Sequence, residues 1–305
     1  MIRLTVRQME YFEALSETLH FGRAAELAGV TQPALSSQIA EMEERLGCRL
    51  FERGGRVVQM TEEARMLRPR IDRVLSELRE IEAQSRRHRS AMEGRFRLGV
   101  IPTVAPYLLP SLLPALKRRF PALTVEMREA VTAVLIEETA AGRLDGMIAA
   151  LPLQSSTLIV EPLFEDRFYL AVPASEPDLA APPVAPEHPV LERLMLLEEG
   201  HCMRDQALAV CGAVRPAVMA NYGATSLTTL LQMVAHGQGV TLIPEMAFAA
   251  SARPELRIVP FAEPMPTRRL GFAWRRISSR QEECRALAGA MRELAPEPGE
   301  GVPDH

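Results

Sequence analysis

The sequence predicts a winged helix-turn-helix domain at the N-terminus, a long linker helix, and a C-terminal α/β domain. Three observations predict it. Short amphipathic helices separated by glycine turns fill residues 1–60. Apolar residues at heptad spacing run from Leu67 to Ile81. Beyond residue 93, strand-like and helix-like segments alternate. At 305 residues the chain exceeds the usual size of one hydrophobic core, so two or more domains are expected. A formal charge of −4 excludes a uniformly basic nucleic-acid coat but not a local basic patch. No apolar run reaches the roughly 18 residues of a membrane span. The charged opening MIRLTVRQMEYFEALSE lacks the apolar stretch of an export signal, so a cytoplasmic protein without a membrane partner is expected.

Each element follows from local pattern. Met9, Phe12, Leu15 and Leu19 have the spacing of an amphipathic helix. A second helix, Arg23 to Ala28, stops at Gly29. Thr31 then suits an N-cap, with Pro33 tolerated in the first turn. In the third helix Leu35, Ile39, Met42 and Leu46 recur at steps of 4, 3 and 4, and Gly47 ends it. Gly54-Gly55, flanked by Arg53 and Arg56, reads as the tip of a hairpin or wing. Leu67, Ile71, Val74, Leu78 and Ile81 form a short heptad seam that calls for a partner helix, the alternative being a surface helix packed on its own domain. Pro69 is expected to kink or start that helix.

After a polar hinge at Arg86–Arg89 and Met92–Gly94, strands are expected at 96–101, 123–127, 146–150, 168–172, 240–244 and 270–274. Helices are expected at 108–120 and 134–142. This alternation argues for a parallel sheet. Residues 173–189 are a Pro-rich loop, and 296–305 a disordered acidic tail.

Helix, tight turn and helix over residues 22–46 make a helix-turn-helix, whose second helix enters the major groove of double-stranded DNA. Its leading residues are Thr31, Gln32, Ser36, Ser37 and Gln38. Hydroxyls suit phosphates or either base, and Gln bonds adenine bidentately. Arg49, Arg53 and Arg56 would grip the backbone from the wing. Net charge gives no support, since residues 1–65 carry 8 Arg against 10 acidic residues, so the argument rests on placement.

Gly200 to Cys211 is the most informative stretch. Cys202 lies between His201 and Arg204, just after a break at Glu198-Glu-Gly200. A helix starting there would aim its positive end at the sulfur and, with His201 and Arg204, favour thiolate. Thiolate attacks peroxide to give a sulfenic acid, which condenses with a second thiol. Cys211, in an apolar setting, is the candidate for that thiol. Nine residues of intact helix span about 13 Å, whereas a disulfide needs Cα atoms within about 7 Å. A helical segment would therefore have to unwind, which makes oxidation a conformational switch. Two unrelated cysteines, or a metal site built on His201, Cys202 and Cys211, are the alternatives. The spacing does not match a zinc finger, and neither a metal nor a cofactor is expected. Cys48 and Cys284 read as structural. Pro102-Thr103 follows a strand and precedes a helix, where open α/β sheets bind ligands, although Thr103 also suits a simple N-cap.

Residues 1–60, through Phe21–Ala28, Thr31–Ser36, Gln38-Ile39, Glu43–Gly47 and Leu50–Arg53, resemble the winged helix-turn-helix of LysR-type transcriptional regulators. The resemblance implies a dimerising linker helix and an effector domain of two α/β subdomains like those of periplasmic binding proteins. It also implies a homotetramer, a dimer of dimers, on DNA, and RNA polymerase as a partner. The bounds it suggests are 1–62 for the DNA-binding domain, 63–92 for the linker and 93–295 for the effector domain. Within the last, subdomain I takes about 93–168 and 272–295, and subdomain II about 169–271. Gly200–Gln206 with Cys211, Ile101–Pro110, Leu163-Phe164 and Ala224–Leu227 are further similar to the family's hydrogen-peroxide-sensing activators. By that resemblance Cys202 is the peroxidatic cysteine and Cys211 the resolving one. Thr103, Thr132 and His201 would hold peroxide by hydrogen bonds, and Arg204 and Arg275 would supply positive charge. A cellular dithiol would restore the thiols. The rival readings are a regulator with a small organic effector and a thiol peroxidase. One oxidation per reduction favours a sensor over an enzyme.

Overall fold

The computed structural model describes residues 4–52, 58–85, 92–211 and 224–294, with Cys211 described by its backbone alone. Gly54-Gly55, Arg53, Arg56, the hinge arginines and the tail lie outside the described residues. Two compact units are present, residues 1–88 with 141–143, and residues 89–140 with 144–305.

In the first unit, α1 (Val6–Thr18), α2 (Phe21–Leu27) and α3 (Gln32–Leu46) are followed by a hairpin of β1 (Phe51–Glu52) and β2 (Gln59–Met60), then α4 (Glu62–Ser85). The helix ends are locally encoded. Thr5 and Gln8 form a capping box at α1, and the His20 Nδ1 accepts from the N–H groups of Gly22 and Arg23 at α2. Gly47 closes α3 at φ 73°, a left-handed conformation that glycine adopts without strain. Thr31 occupies the N-cap of α3, but its side chain makes no cap hydrogen bond. Phe12, Leu15, Ala24, Leu35, Ile39, Met42, Leu50, Phe51, Ile71 and Leu75 make one buried core. The buried Glu43 Oε1 accepts from the backbone N–H of Leu50 (2.8 Å) and of Phe51 (3.1 Å), which ties α3 to the hairpin.

Two expectations for the linker helix change. Pro69 does not start α4 but lies inside it, since the helix begins at Glu62 behind Thr61, whose hydroxyl accepts from the Ala64 N–H. Burial of Ala64, Ile71 and Leu75 outweighs the backbone hydrogen bond that proline cannot donate. The apolar seam is also divided. Ile71 is buried in the unit's own core, while Val74 and Ile81 are 43% and 62% exposed.

In the second unit, β3 (Gly94–Val100), α5 (Ala105–Arg119), β4 (Leu123–Glu129), α6 (Thr132–Ala140) and β5 (Gly146–Ala150) alternate. A 16-residue strand, β6 (Leu158–Pro173), follows. Then come α7 (Cys202–Cys211), α8 (Leu227–Ala235), β7 (Thr241–Pro244), α9 (Phe248–Ser251), β8 (Leu256–Pro260), β9 (Thr267–Arg275) and α10 (Gln281–Arg292). Among the described residues the strands run in the order β4-β3-β5-β9-β6-β7, with β8 also on β6. The expected parallel sheet is corrected to a mixed one. Only β4, β3 and β5 are parallel, because β9 returns late in the chain and inserts antiparallel between β5 and β6.

Strand β6 pairs with β9 through Arg167 and with β7 and β8 from Phe168 onward. It therefore passes from one hydrophobic core, built on Phe96, Leu112, Phe272 and Trp274, into a second built on Phe168, Leu191, Leu230 and Ile243. No helix among the described residues is long and apolar enough to cross a membrane. Gly146 shows how closely the first core is packed, since a Cβ there would meet the Phe272 ring at 2.5 Å. Gly146→Ala is expected to destabilise this unit by about 1–3 kcal/mol, read as a lower urea midpoint. An unchanged midpoint would contradict the packing.

Candidate redox site and nucleic-acid interface

One face of α3 buries Leu35, Ile39 and Met42, which leaves the other to solvent. Thr31, Gln32 and Ser37 are exposed, whereas Ser36 and Gln38 are half-buried. The Gln38 amide donates to Glu41 Oε2 at 3.1 Å, so part of its hydrogen-bonding capacity is used within the helix. Arg49 has a side chain 75% exposed and lies 3.6 Å from Glu43. Of the basic residues expected on the wing, only Arg49 falls among the described residues.

The second group gathers at the carboxyl ends of the parallel strands, the usual position of ligand sites in open α/β sheets. Thr103 lies in the turn from β3 into α5, Thr132 opens α6 after β4, and Ala150 ends β5. Cys202 is the first residue of α7. It packs against the first core, while Met203 and Ala207 of the same helix are buried in the second. Gly200, at φ +93°, turns the chain into this helix. The Cys202 thiol is free. Hydrogen bonds from the backbone of Met203 and Ala150 reach its sulfur. The Thr132 hydroxyl lies close enough to favour the thiolate, yet it is buried without a well-formed hydrogen bond of its own. Cys211 closes α7, nine residues on, so the two Cα atoms are about 13 Å apart along the helix. Among the described residues no group of three His, Cys, Asp or Glu side chains is placed to hold a metal ion.

Residues 6–65 match the family model of the bacterial regulatory helix-turn-helix protein, lysR family, and residues 89–296 match that of the LysR substrate binding domain. The chain is 39% identical to a probable hydrogen peroxide-inducible genes activator of Streptomyces viridosporus, over 95% of this chain and 94% of that one. It is 36% identical to the DNA-binding transcriptional dual regulator OxyR of Escherichia coli, over 95% of each. The chain belongs to the LysR family, in its OxyR group. Its fold is similar to full-length OxyR of Pseudomonas aeruginosa in a cysteine-to-aspartate variant, with TM-score 0.76, 32% identity and coverage of 95% and 98%. It is also similar to a cysteine-to-serine mutant of Corynebacterium glutamicum OxyR with hydrogen peroxide bound, with TM-score 0.64, 31% identity and coverage of 96% and 93%.

In this LysR-family chain the charge beside the sulfur comes from a residue that sequence reasoning missed. Arg268 on β9 is the cation acting on Cys202. Its Nη1 donates to Thr103 Oγ1 at 3.0 Å and its Nη2 to the Thr103 carbonyl at 3.1 Å. Arg275 is corrected. It ends β9 opposite Leu158, seven residues from Arg268 and about 23 Å along the strand, level with the amino end of β5. Arg204, expected to supply charge, is placed by one contact. Its guanidinium is buried and donates to the Leu197 carbonyl at 3.0 Å, bracing the segment that leads into α7. His201 is buried, and burial lowers its pKa against the weaker pull of Glu198, which keeps the imidazole neutral near pH 7.

The acidity of Cys202 also departs from expectation. Burial pushes the thiol up, and this outweighs Arg268, the Thr132 hydroxyl and the N–H groups of Met203 and Ala150, all of which favour thiolate. The resting group is a thiol. Its reaction with an alkylating agent is therefore expected to rise about tenfold per pH unit from pH 6.5 to 8.5. A plateau below pH 7 would contradict this electrostatic balance.

Proposed function

We propose that this chain is a transcription regulator that senses hydrogen peroxide through Cys202. The observation that carries the reading is a free cysteine at the first position of α7, beside Arg268 and the buried Thr132 hydroxyl, with a second cysteine closing the same helix. Peroxide enters beside Thr103, Thr132 and His201. The Cys202 thiolate attacks one oxygen, the O–O bond breaks, and hydroxide leaves with the electron pair. Donors and the positive charge of Arg268 stabilise that developing charge. The products are a sulfenic acid on Cys202 and, after protonation, water. The Cys211 thiol then displaces the sulfenic hydroxyl as a second water, and a disulfide forms. A cellular dithiol restores both thiols in the course of its own oxidation.

Closure of that bond requires α7 to unwind, since its ends are too far apart while it is helical. Met203 and Ala207 are buried in the second core, so unwinding repacks that core. The output is on DNA, read by Thr31, Gln32, Ser36, Ser37 and Gln38 of α3, with Arg49, Arg53 and Arg56 on the backbone. Exposure of Val74 and Ile81 on α4 favours a partner helix there, and so a dimer that pairs into a homotetramer. The chain acts in the cytoplasm with RNA polymerase. It turns over once per reduction and is not an enzyme.

A small carboxylate effector is the other reading, because Thr103 stands beside a cation. It is weakened because it gives no role to the free Cys202 at the same site or to the second cysteine that closes α7. Cys202→Ser is expected to abolish the peroxide-dependent change in the operator footprint while operator binding survives. Cys211→Ser should still accumulate sulfenic acid on Cys202, detected by dimedone labelling. A Cys202→Ser protein that still shifts its footprint on peroxide addition would overturn the reading, and sustained peroxide turnover without a footprint would favour a peroxidase.

A further inference from the structure

We propose that Asp166 is a positioning residue for the redox site, acting through Arg268 to hold a positive charge beside the Cys202 sulfur. The inference rests on the peroxide-sensing reading. Asp166 lies on β6 directly opposite Arg268 on β9, and both side chains are fully excluded from solvent. The Asp166 Oδ2 accepts from Arg268 Nε at 2.9 Å and sits 2.8 Å from Nη2. Its Oδ1 accepts from the Met246 backbone N–H at 3.1 Å. The carboxylate thus grips one edge of the guanidinium, and its other oxygen is anchored to the backbone just after β7. The remaining donors of Arg268 are turned toward Thr103, where Nη1 meets the hydroxyl and Nη2 the carbonyl. The guanidinium lies 5.6 Å from the centre of the Phe168 ring, and Nη2 lies 3.2 Å from the Met246 sulfur.

A long arginine side chain has many rotamers, and a cation is useful to a thiolate only if it stays put. Here four contacts fix it, and the only charged one is Asp166. The charged group that acts on Cys202 is Arg268, and Asp166 holds it from behind. Neither Tyr107, whose pKa burial raises, nor the neutral His201 carries a negative charge at pH 7, so neither replaces the carboxylate. Release of the carboxylate lets the guanidinium leave Thr103, so the thiolate loses its cation.

The test measures two rates on the full reduced chain at pH 7, oxidation of Cys202 by hydrogen peroxide and its alkylation by iodoacetamide. With Asp166→Asn both are expected to fall at least fivefold, with operator affinity unchanged. The sign is diagnostic, because a variant that merely loosened the core would expose the sulfur and speed alkylation. The second comparison removes the cation first and then its carboxylate as well. Arg268→Met should be slow, and adding Asp166→Leu to it should change neither rate by more than twofold, since Asp166 would have nothing left to position. The double variant leaves no unpaired charge, whereas Arg268→Met alone leaves the Asp166 carboxylate buried without its cation, so the fold of that variant is checked by its thermal midpoint before the rates are compared. Native rates in Asp166→Asn, faster alkylation, or a further fivefold loss in the double variant would overturn the proposal. If the unmodified chain fails to oxidise Cys202 at all, the sensing reading fails instead, and the alkylation rates still judge Asp166.

Discussion

The span of α7 is the constraint on which the rest depends. One turn-and-strand layout fixes Cys202 at the start of a ten-residue helix, and the helix then holds Cys211 at its far end. Backbone hydrogen bonds cost little to keep and must be lost together if the ends are to meet, so the helix and the disulfide exclude one another. Burial of Met203 and Ala207 couples that local choice to the packing of a whole core. A small oxidant therefore has a route to a large structural consequence without binding tightly.

The resting state is kept quiet by solvation. Burial opposes the thiolate more strongly than the surrounding donors favour it, so general thiol chemistry is suppressed. The donors that lose this contest at rest are nevertheless aimed at the sulfur, and they gain importance when charge develops on an attacked peroxide. The buried Asp166–Arg268 pair makes that arrangement durable. A buried ion pair is weak evidence for stability, but it fixes geometry well, and here the fixed geometry is that of a cation beside a nucleophile.

Much of this was legible in the sequence. The 3.6-residue period of Leu35, Ile39 and Met42 located α3, and the Gly200 break located the start of α7. Local chemistry could not choose between Arg268 and Arg275, which share one strand, because the choice depends on which end of β9 meets β5. A signal was present all the same. Arg268 is in phase with Leu270, Phe272 and Trp274 on the buried face of β9, and Asp166 is in phase with Phe168 and Leu170 on β6. Two opposite charges on inward faces of alternating strands ask for each other. The Arg204 contact with the Leu197 carbonyl was not legible, since adjacency to Cys202 in sequence says nothing of where a long side chain points on a helix. The mixed sheet was hidden because β9 pairs across more than a hundred residues of chain.

The central claim is that α7 is intact in the reduced chain and lost on oxidation. Amide hydrogen exchange of residues 203–210, measured before and after stoichiometric peroxide, tests it most directly. Protection is expected in the reduced protein and a sharp fall in protection once the 202–211 bond is found by peptide mapping. Equal protection in both states, with that bond present, would contradict the account.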